Sequence, residues 1–334
     1  MTQFQPLNRI GLVAIGRNEG QRLHQCLLSV IGKVACIVYV DSGSTDGSVE
    51  FARSLGVEVV ELDLSIPFTA ARARNAGFAH LLEANAQLEF VQFVDGDCEV
   101  VEGWLNFAQN ELDAHPDVAV VCGRRRERFP DFSIYNRLCD MEWDTPVGEA
   151  KACGGDSMMR VEAFQQAGGF NPTMIAGEEP ELCVRLRQKG WKILRLDAEM
   201  TLHDAQITRF AQWWKRAFRA GHAYAEGAAL HGHEPERHWV RETRSIWLWG
   251  LFLPLLSLGM VWPTHGFSLL LLLGYPVTAS RIFLNLRRQN ICNEHAAFYA
   301  LSCVVGKFAQ VSGAMLFLQR KLLGTKSVLV EYKN

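Results

Sequence analysis

Two carboxylates end a strongly apolar stretch of the chain. The run Glu-Phe-Val-Gln-Phe-Val at residues 89–94 is followed by Asp95, Gly96 and Asp97. Two acids one residue apart on a loop can both reach one hard cation, and Mg²⁺ or Mn²⁺ is usually held by one or two carboxylates together with substrate phosphates. A plain Asp-Gly turn is the alternative, because that pair is common in turns. Taken alone, the pair leaves both interpretations open.

The elements that position these acids can be read from the hydrophobic pattern. Over the first 120 or so residues, short apolar runs alternate with segments of helical periodicity. Strict alternation predicts an α/β fold with a Rossmann-like, mostly parallel sheet flanked by helices. In such sheets ligands bind beyond the carboxyl ends of the strands. The predicted strands lie at residues 10–15, 35–40, 57–62, 90–94 and 118–123.

Polar residues directly follow three of the predicted strands. Asn18 and Glu19 follow the first strand, and the segment Asp41–Gly47, which includes Ser42, follows the second. Asp95–Asp97 follow the fourth strand, and we expect all three groups at one rim of the sheet. The first turn reads Gly-Arg-Asn-Glu-Gly and not G-x-G-x-x-G, which disfavours a dinucleotide-binding dehydrogenase.

The composition limits the class of partner. The 334 residues carry a formal net charge of −2, which argues against a nucleic-acid partner because such proteins carry a basic excess. None of the nine cysteines forms a C-x-x-C pair, so a zinc site is not expected. The N-terminal segment lacks the features of a signal peptide, and we expect reduced thiols in a cytosolic environment.

Charge disappears in the C-terminal third. No Asp, Glu, Lys or Arg occurs between Ser245 and Ser280. A bilayer span needs roughly 20 apolar residues, so two short spans joined by the turn at 263–266 fit this stretch. Arginines on both flanks, and none in the turn, predict that both ends lie in the cytoplasm. A hydrophobic hairpin buried in a soluble protein is the alternative.

Two further segments have a membrane-like composition. Residues 296–321 are apolar but carry Lys307 and Gln310 near the middle, which favours a helix lying along the interface and leaves a third span open. Residues 208–231 are predicted to form a helix at the membrane surface, because Trp213 and Trp214 are of a type that sits at headgroup level.

Five segments, taken in order, resemble the motifs of the family 2 glycosyltransferases, in particular the membrane-associated bacterial type. The resemblance runs from about residue 10 to about residue 205. It implies a GT-A fold and transfer of a sugar from a nucleotide-diphosphate donor with inversion at the anomeric carbon. The segments read VAIGRNE, VYVDSGSTDGS, ARARNAG, FVDGDCEV and GGFNPTMIAGEEPELCVRLRQKGWKI.

The resemblance also implies roles for individual residues. Asp41 matches an acid that contacts the nucleotide base, and Arg74 matches a residue beside the base and phosphates. Asp97 matches the direct metal ligand of the D-x-D pair. The predicted set is Glu178 and Glu179 as catalytic residues, Asn18, Glu19, Asp41, Ser42, Arg74, Asp95, Gly155 and Asp156 for the nucleotide-sugar, and Asp95, Asp97 and His203 for Mn²⁺ or Mg²⁺. A packed histidine that binds no metal is the alternative for His203.

The chain departs from the family pattern at two places. The family usually has Asp where this chain has Glu179, and the longer side chain leaves the choice of base between Glu178 and Glu179 open. Residues 212–227 lack the Q-x-x-R-W signature of processive members, so repeated chain extension is not expected. Arg124–Arg126 could line an acceptor site that binds a phosphate or an acidic sugar, or could lie in a solvated loop.

The sequence thus predicts a metal-dependent enzyme at the cytoplasmic face of the inner membrane, with a lipid-linked or saccharide acceptor. Its domains would be a GT-A catalytic domain (1–205), an amphipathic interfacial region (206–245) and membrane-associated helices (246–334). A sugar nucleotidyltransferase is one alternative, although residues 14–23 lack the glycine- and lysine-rich phosphate loop it needs. A membrane protein that binds nucleotide-sugar without turnover is the other, although such a protein would be expected to lose the metal pair or the base.

Overall fold

The computed structural model describes residues 7–325 and divides into two compact units. The first unit comprises the chain up to Phe129 together with Cys139–Ala205, and the second comprises Pro130–Leu138 together with the chain from Gln206 onward. The last segment of the first unit ends at Ala205. The predicted catalytic, interfacial and membrane-associated domains stay predictions. The outer ends of the predicted domains, 1–6 and 326–334, lie outside the described residues.

The first unit is built around one mixed sheet. Helices cover the sheet, and the five strands and four helices predicted for the first 123 residues are all present. The strands are β1 (Leu7–Gly16), β2 (Val34–Asp41), β3 (Glu58–Glu61), β4 (Phe90–Asp95), β5 (Cys98–Val100), β6 (Val118–Glu127), β7 (Gly148–Glu149), β8 (Ser157–Arg160) and β9 (Lys192–His203). The helices are α1 (Gln21–Val30), α2 (Ser48–Ser54), α3 (Ala70–Ala84), α4 (Trp104–Ala114), α6 (Val161–Ala167) and α7 (Glu178–Gln188). Helix α5 (Ile134–Glu142) is divided, with residues 134–138 in the second unit and the rest in the first.

The strand register brings the polar strand ends to one level. The sheet order is β3-β2-β1-β4-β8-β6-β9-β5, and its first four strands are parallel. Gly16 on β1 pairs with Asp41 on β2, and Ile15 pairs with Asp95 on β4. The carboxyl ends of these strands therefore form one rim, as predicted for a doubly covered α/β sheet.

Helix α3 lies unusually close to this sheet. A Cβ atom on Gly77 would lie 2.4 Å from Val13 and 2.7 Å from Val40, so only glycine permits the approach. The helix begins at Thr69, whose hydroxyl accepts a hydrogen bond from the Arg72 amide at 3.1 Å. Arg74 lies one turn before Gly77, and the close packing fixes its side chain near the rim.

The remainder of the sheet is mixed and not parallel. β8 runs antiparallel to both β4 and β6, and β5 runs antiparallel to β9. The strand predicted at 118–123 is the start of β6 and keeps the direction of β4. The strands that break the parallel pattern, β5, β7 and β8, have three, two and four residues. Runs this short carry no periodic signal, which is why the sequence predicts a mostly parallel sheet.

The second unit is helical. Its helices α8 and α12 approach each other backbone to backbone through glycines. A Cβ atom on Gly221 would lie 1.9 Å from the Gln310 carbonyl oxygen, and one on Gly313 would lie 1.9 Å from that of Phe218. Glycines at helix interfaces permit this close approach and are common between membrane helices. The helices are α8 (Phe210–His231), α9 (Val240–Trp247), α10 (Leu253–Gly259), α11 (Gly274–Arg288) and α12 (Asn293–Leu323), with a π-helical segment at Leu248–Phe252 and a 3₁₀ segment at Phe267–Leu273.

The uncharged stretch forms a helical hairpin, with its turn at residues 260–266. The Ser268 hydroxyl donates to the Ser257 carbonyl oxygen at 2.7 Å and ties the two legs together. Within residues 7–325, two helices are long and apolar enough to cross a membrane: Phe267–Arg288 and Asn293–Leu323. The second of these is one continuous 31-residue helix, so the stretch predicted to lie along the interface is long enough to span.

Candidate active site

The Asp-Gly-Asp stretch is a tight turn held against β1. The Gly96 amide donates to the Ile15 carbonyl oxygen at 2.7 Å, and a Cβ atom on Gly96 would lie 3.1 Å from the same oxygen. A larger residue would crowd this oxygen, and the glycine separates two acids that face different neighbours. Asp95 ends β4, whereas Asp97 leads directly into β5. The turn and the site interpretations of this stretch are therefore compatible.

Arg74 joins predicted residues from three parts of the chain. Its Nη1 donates to Glu178 Oε1 and its Nη2 to Asp95 Oδ1, both at 2.7 Å. The guanidinium is buried and lies over the Phe170 ring, 5.6 Å from the centroid. A buried arginine with two carboxylate partners is a fixed element, because removing one partner of a buried ion pair costs about 3–5 kcal/mol.

Gly155 makes room for this arginine, which gives a prediction with a built-in control. A Cβ atom at Gly155 would lie 2.5 Å from Arg74 Nη2, whereas one at Gly154 would meet no atom within 4 Å. Gly155→Ala should therefore lower the free energy of unfolding by about 1–3 kcal/mol, the usual cost of overpacking. Gly154→Ala should leave it unchanged or raise it by up to about 1 kcal/mol. Denaturant unfolding of the two variants measures this, and equal stabilities would contradict the pinned position of Arg74.

His203 and Asp97 meet through the pairing of β5 with β9. Cys98 pairs with His203, which places His203 Nε2 3.2 Å from Asp97 Oδ2. Both side chains are buried, and the edge of the imidazole packs on Trp143 with 4.9 Å between ring centroids. The predicted metal ligands Asp97 and His203 are thus adjacent, and Asp95 lies across the same turn.

The donor atoms at this point fit a divalent cation. Asp97, Cys98 and His203 each offer one atom, and the three atoms lie within 4.8 Å of one another. In the metal-free protein, burial raises the pKa of the Cys98 thiol well above its ordinary value. The carboxylate of Asp97 is the kind of oxygen ligand that Mn²⁺ and Mg²⁺ prefer. Four acids lie near one another here, whereas the nearby arginines are two, Arg74 and Arg125. A cation would balance the remaining negative charge of Asp95, Asp97, Glu178 and Glu179.

Asp156 lies below the rim and not at its surface. Its side chain is fully buried and accepts hydrogen bonds from the Asp95 amide at 3.0 Å and the Thr201 hydroxyl at 2.7 Å. Arg125 Nη2 lies 2.8 Å from Asp156 and 3.5 Å from Asp95. Asp156 therefore holds the backbone of Asp95 and the side chain of Arg125, and its predicted contact with a donor stays a prediction.

The loops after β1 and β2 are cross-linked at the same rim. Asp41 Oδ2 accepts from the amides of Gly43 and Ser44, each at 2.8 Å, and Asn18 Oδ1 accepts from the Thr45 amide at 2.8 Å. The remaining two predicted residues are fixed as well: the Ser42 hydroxyl donates to the Gly16 carbonyl oxygen at 2.9 Å, and Glu19 pairs with Arg22 at 2.7 Å. The four residues share the rim with Asp95, and their contact with a nucleotide stays a prediction.

Glu178 and Glu179 occupy the first turn of α7, after Gly177 in the left-handed region with φ of 80°. Glu178 is the acid that Arg74 binds. Burial raises the pKa of the half-buried Glu179 to about 7, with the Glu178 carboxylate adding to the rise and Arg74 opposing it. A carboxylate with a pKa near neutrality can exchange a proton at physiological pH, which is the property that a general base needs.

Glu127 was not predicted from the sequence, and the contacts that Arg125 and Trp143 make at this site were not predicted either. Arg125 lies over the Trp143 ring, 5.5 Å from the centroid, and Glu127 Oε2 lies 3.8 Å from His203 Nδ1. The sequence feature that could have indicated these residues is in β6, a ten-residue strand whose last four residues are Arg-Arg-Arg-Glu. Charged residues at the end of a covered strand need partners, and here carboxylates of the site supply them for Arg125.

Comparison with known families identifies one segment of the chain. Residues 13–166 match the family described as glycosyl transferase family 2. This segment is a family 2 glycosyl transferase domain. It contains Asp41, Arg74 and both acids of the Asp-Gly-Asp turn. Glu178, Glu179 and His203 lie beyond its end, so their roles depend on the geometry.

Relatives and solved structures agree with the family 2 domain. The chain is 23% identical to glycosyltransferase AglE of Haloferax volcanii, over 71% of this chain and 79% of that protein. It is 26% identical to the succinoglycan biosynthesis protein ExoA of Rhizobium meliloti, over 54% of this chain but only 57% of that protein. The mannosyltransferase PcManGT of Pyrobaculum calidifontis, solved with GDP-Man and Mn²⁺, superposes with a TM-score of 0.59 at 17% identity and covers 94% of this chain and 88% of its own. The predicted α/β, GT-A fold is confirmed, and the family and its relatives support glycosyltransferase activity.

Proposed function

We propose that this chain transfers one sugar from a nucleotide-diphosphate sugar to an acceptor hydroxyl, with inversion at the anomeric carbon and with a divalent cation, Mn²⁺ or Mg²⁺. The observation that carries the proposal is the convergence at one rim of the Asp97–His203 pair with the Glu178–Arg74–Asp95 chain. These groups come from strand and helix ends far apart in sequence. A binding protein without turnover has no need for a carboxylate of raised pKa beside such a cluster.

The donor side of the reaction calls for positive charge. Asp97 and His203, with Asp95 beside them, would hold the cation, which supplies positive charge to the diphosphate as it leaves. Arg74 holds Asp95 and Glu178 in fixed positions, so the acids need not reorganise when the donor binds. Fixed charges in a site that excludes water are worth far more than the same charges in water.

The acceptor side calls for a base. Glu179 takes the proton from the acceptor hydroxyl as that oxygen attacks the anomeric carbon. The pKa of about 7 suits this step, because the group is ionised in a good fraction of molecules near neutral pH and still holds a proton well. One in-line displacement inverts the configuration and needs no side chain that attacks covalently. Glu178, engaged with Arg74, is the less suitable of the two acids.

The acceptor is proposed to be lipid-linked or a saccharide precursor, at the cytoplasmic face of the inner membrane. The two helices that could span a membrane support this location. So do the large apolar side chains that the second unit exposes, such as Trp262 at 91% and Phe267 at 73% of their full surface. The name of ExoA, a succinoglycan biosynthesis protein, agrees with a saccharide acceptor.

Thermal unfolding with a panel of nucleotide-sugars tests the donor class. A ligand that binds only the folded protein raises the melting temperature, by an amount that grows with its concentration relative to Kd. We expect one nucleotide-sugar of the panel, GDP-mannose included, to raise Tm when Mn²⁺ is present and to lose this effect in EDTA. No shift with any nucleotide-sugar would contradict the proposed donor.

The orientation in the membrane can be tested with an impermeant thiol reagent. In intact cells, Thr264→Cys in a background without native thiols should be labelled, because residue 264 lies in the hairpin turn proposed to face outward. The native, exposed Cys292 lies just after Arg287 and Arg288 and serves as the matched control. Retained as the sole thiol, it should react only after permeabilisation. Equal behaviour of the two thiols would contradict a spanning hairpin.

A further inference from the structure

Glu127 is a carboxylate buried at the end of β6, next to His203. Its side chain is 0% exposed. Oε2 accepts a hydrogen bond from the Ala205 amide at 3.1 Å, and Oε1 accepts one from the Phe129 amide at 3.2 Å. The β6–β9 register pairs Glu127 directly with His203. Burying a carboxylate costs several kcal/mol, so a fully buried one that faces a histidine calls for an explanation.

His203 faces a carboxylate on each side of its ring. Asp97 Oδ2 lies 3.2 Å from Nε2, and Glu127 Oε2 lies 3.8 Å from Nδ1. Nδ1 is buried and makes no hydrogen bond within residues 7–325. Trp143 packs against the imidazole and restricts its rotation. The ring can therefore turn only slightly, and Glu127 is the acceptor placed to meet Nδ1.

We propose that Glu127 is a positioning residue: it accepts a hydrogen bond from Nδ1–H of His203 and so directs the Nε2 lone pair toward the cation that Asp97 also binds. The inference rests on the metal dependence of the proposed function. A neutral imidazole has one N–H and one lone pair, so the partner at one nitrogen decides what the other can bind. Carboxylates that orient metal-binding histidines in this way raise their basicity. The 3.8 Å separation exceeds a normal hydrogen bond by about 0.8 Å, which a slight tilt of the ring removes.

Titration of the full chain with Mn²⁺ tests the inference without any need for activity. Electron paramagnetic resonance measures binding as the decrease of the free Mn²⁺ signal. Glu127→Ala should raise the Kd for Mn²⁺ by about 10–100-fold, the usual effect of removing such a partner. Glu127→Gln should lose less, because its amide oxygen can still accept from Nδ1–H. The control is Glu199→Ala, an acid on β9 bonded to Arg126 at 2.7 Å, which should leave the Kd unchanged.

Pulsed electron paramagnetic resonance distinguishes a role of Glu127 in positioning His203 from a general role in the stability of the fold. Bound Mn²⁺ should show nitrogen modulation from His203 in the wild-type chain and none in His203→Ala. In Glu127→Ala, at Mn²⁺ concentrations that restore binding through Asp97, the nitrogen modulation should be reduced or absent. Thermal unfolding of the metal-free variants checks that each is folded, and Glu127→Gln provides the near-isosteric comparison.

The outcomes are distinct. A folded Glu127→Ala with the wild-type Kd and full nitrogen modulation would overturn the role of Glu127 and leave the metal site intact; Glu127→Met, of similar length and with no oxygen to accept from Nδ1–H, takes its place if the alanine variant does not fold. A raised Kd with full modulation would overturn it as well, because Glu127 would then only support the fold. A wild-type chain that binds no Mn²⁺ would overturn the metal-dependent function itself, and this inference with it.

Discussion

Glutamine in place of Glu179 is expected to slow sugar transfer by about 10²–10⁴-fold, the usual contribution of a positioned general base, while donor binding stays close to normal. The amide keeps the shape of the side chain but cannot accept the acceptor's proton. Steady-state rates together with the Kd of the donor measure both effects. The loss should appear in kcat and kcat/KM alike, because the proton transfer belongs to the transition state and not to binding.

The pH dependence provides a second signature of the same residue. The pKa of Glu179 is raised to about 7, so the carboxylate is protonated and inactive below that pH and ionised above it. The wild-type rate should therefore rise as the pH increases through about 7, and the residual rate of Glu179→Gln should lose this rise.

The control for this prediction is Glu178→Gln. It removes one charge from the buried partner of Arg74, and we expect it to weaken donor binding and stability more than the proton-transfer step. A full kinetic loss in Glu178→Gln with none in Glu179→Gln would move the base one residue back. A loss of donor binding in Glu179→Gln as large as the loss in rate would argue against a base at that position.

Asp97→Asn is expected to abolish metal-dependent nucleotide binding while the fold survives. The substitution preserves size and removes the charge that faces His203 Nε2 at 3.2 Å. A neutral amide is a poor ligand for Mg²⁺ or Mn²⁺ in a site with this few donors. Calorimetry of nucleotide diphosphate binding with Mn²⁺ should show a clear enthalpy for the wild-type chain and none for the variant.

Asp117→Asn is the matched control for Asp97→Asn. Asp117 is an exposed acid bonded to Lys192 at 2.7 Å, and an exposed ion pair contributes about 0–1 kcal/mol. The variant should bind the metal and the nucleotide as the wild-type chain does. An unchanged affinity of Asp97→Asn for the metal–nucleotide complex would show that Asp97 is not the ligand.

The parallel half of the sheet was predictable because each element is long enough to show its period. β1, β2 and β4, with the helices between them, carry runs of apolar residues bounded by polar turns, and parallel topology then fixes where the ends meet. The shared rim of Asp41 and Asp95 followed from these facts alone. The sequence alone therefore identifies the Asp-Gly-Asp turn as a candidate site.

The other half of the site depends on pairings that leave no periodic trace. β5 has three residues, yet its pairing with β9 is what places His203 beside Asp97. The position of Glu127 next to His203 follows only from the register of β6 with β9. A strand of three residues is too short to show a period, so the sequence does not predict which strand it pairs with.

Tertiary contacts add information on two further residues. Asp156 was predicted to bind the donor; its carboxylate is fully buried and accepts from the Asp95 amide, and its contact with a donor stays a prediction. Arg125 looked like part of a solvated or acceptor-facing cluster, but it pairs with the same Asp156. Whether a polar residue faces a ligand or supports one that does is decided by tertiary contacts.

Release of nucleotide diphosphate from a nucleotide-sugar tests the central claim most directly. The full chain in membranes that contain its acceptor is given each nucleotide-sugar in turn, with Mn²⁺ or with EDTA, alongside Asp97→Asn and Glu179→Gln. The account predicts that the wild-type chain releases the diphosphate from one donor only with the cation present, and that the EDTA sample and both variants lose this release. Release that continues undiminished in EDTA and in both variants would contradict a metal-dependent glycosyl transfer at this rim.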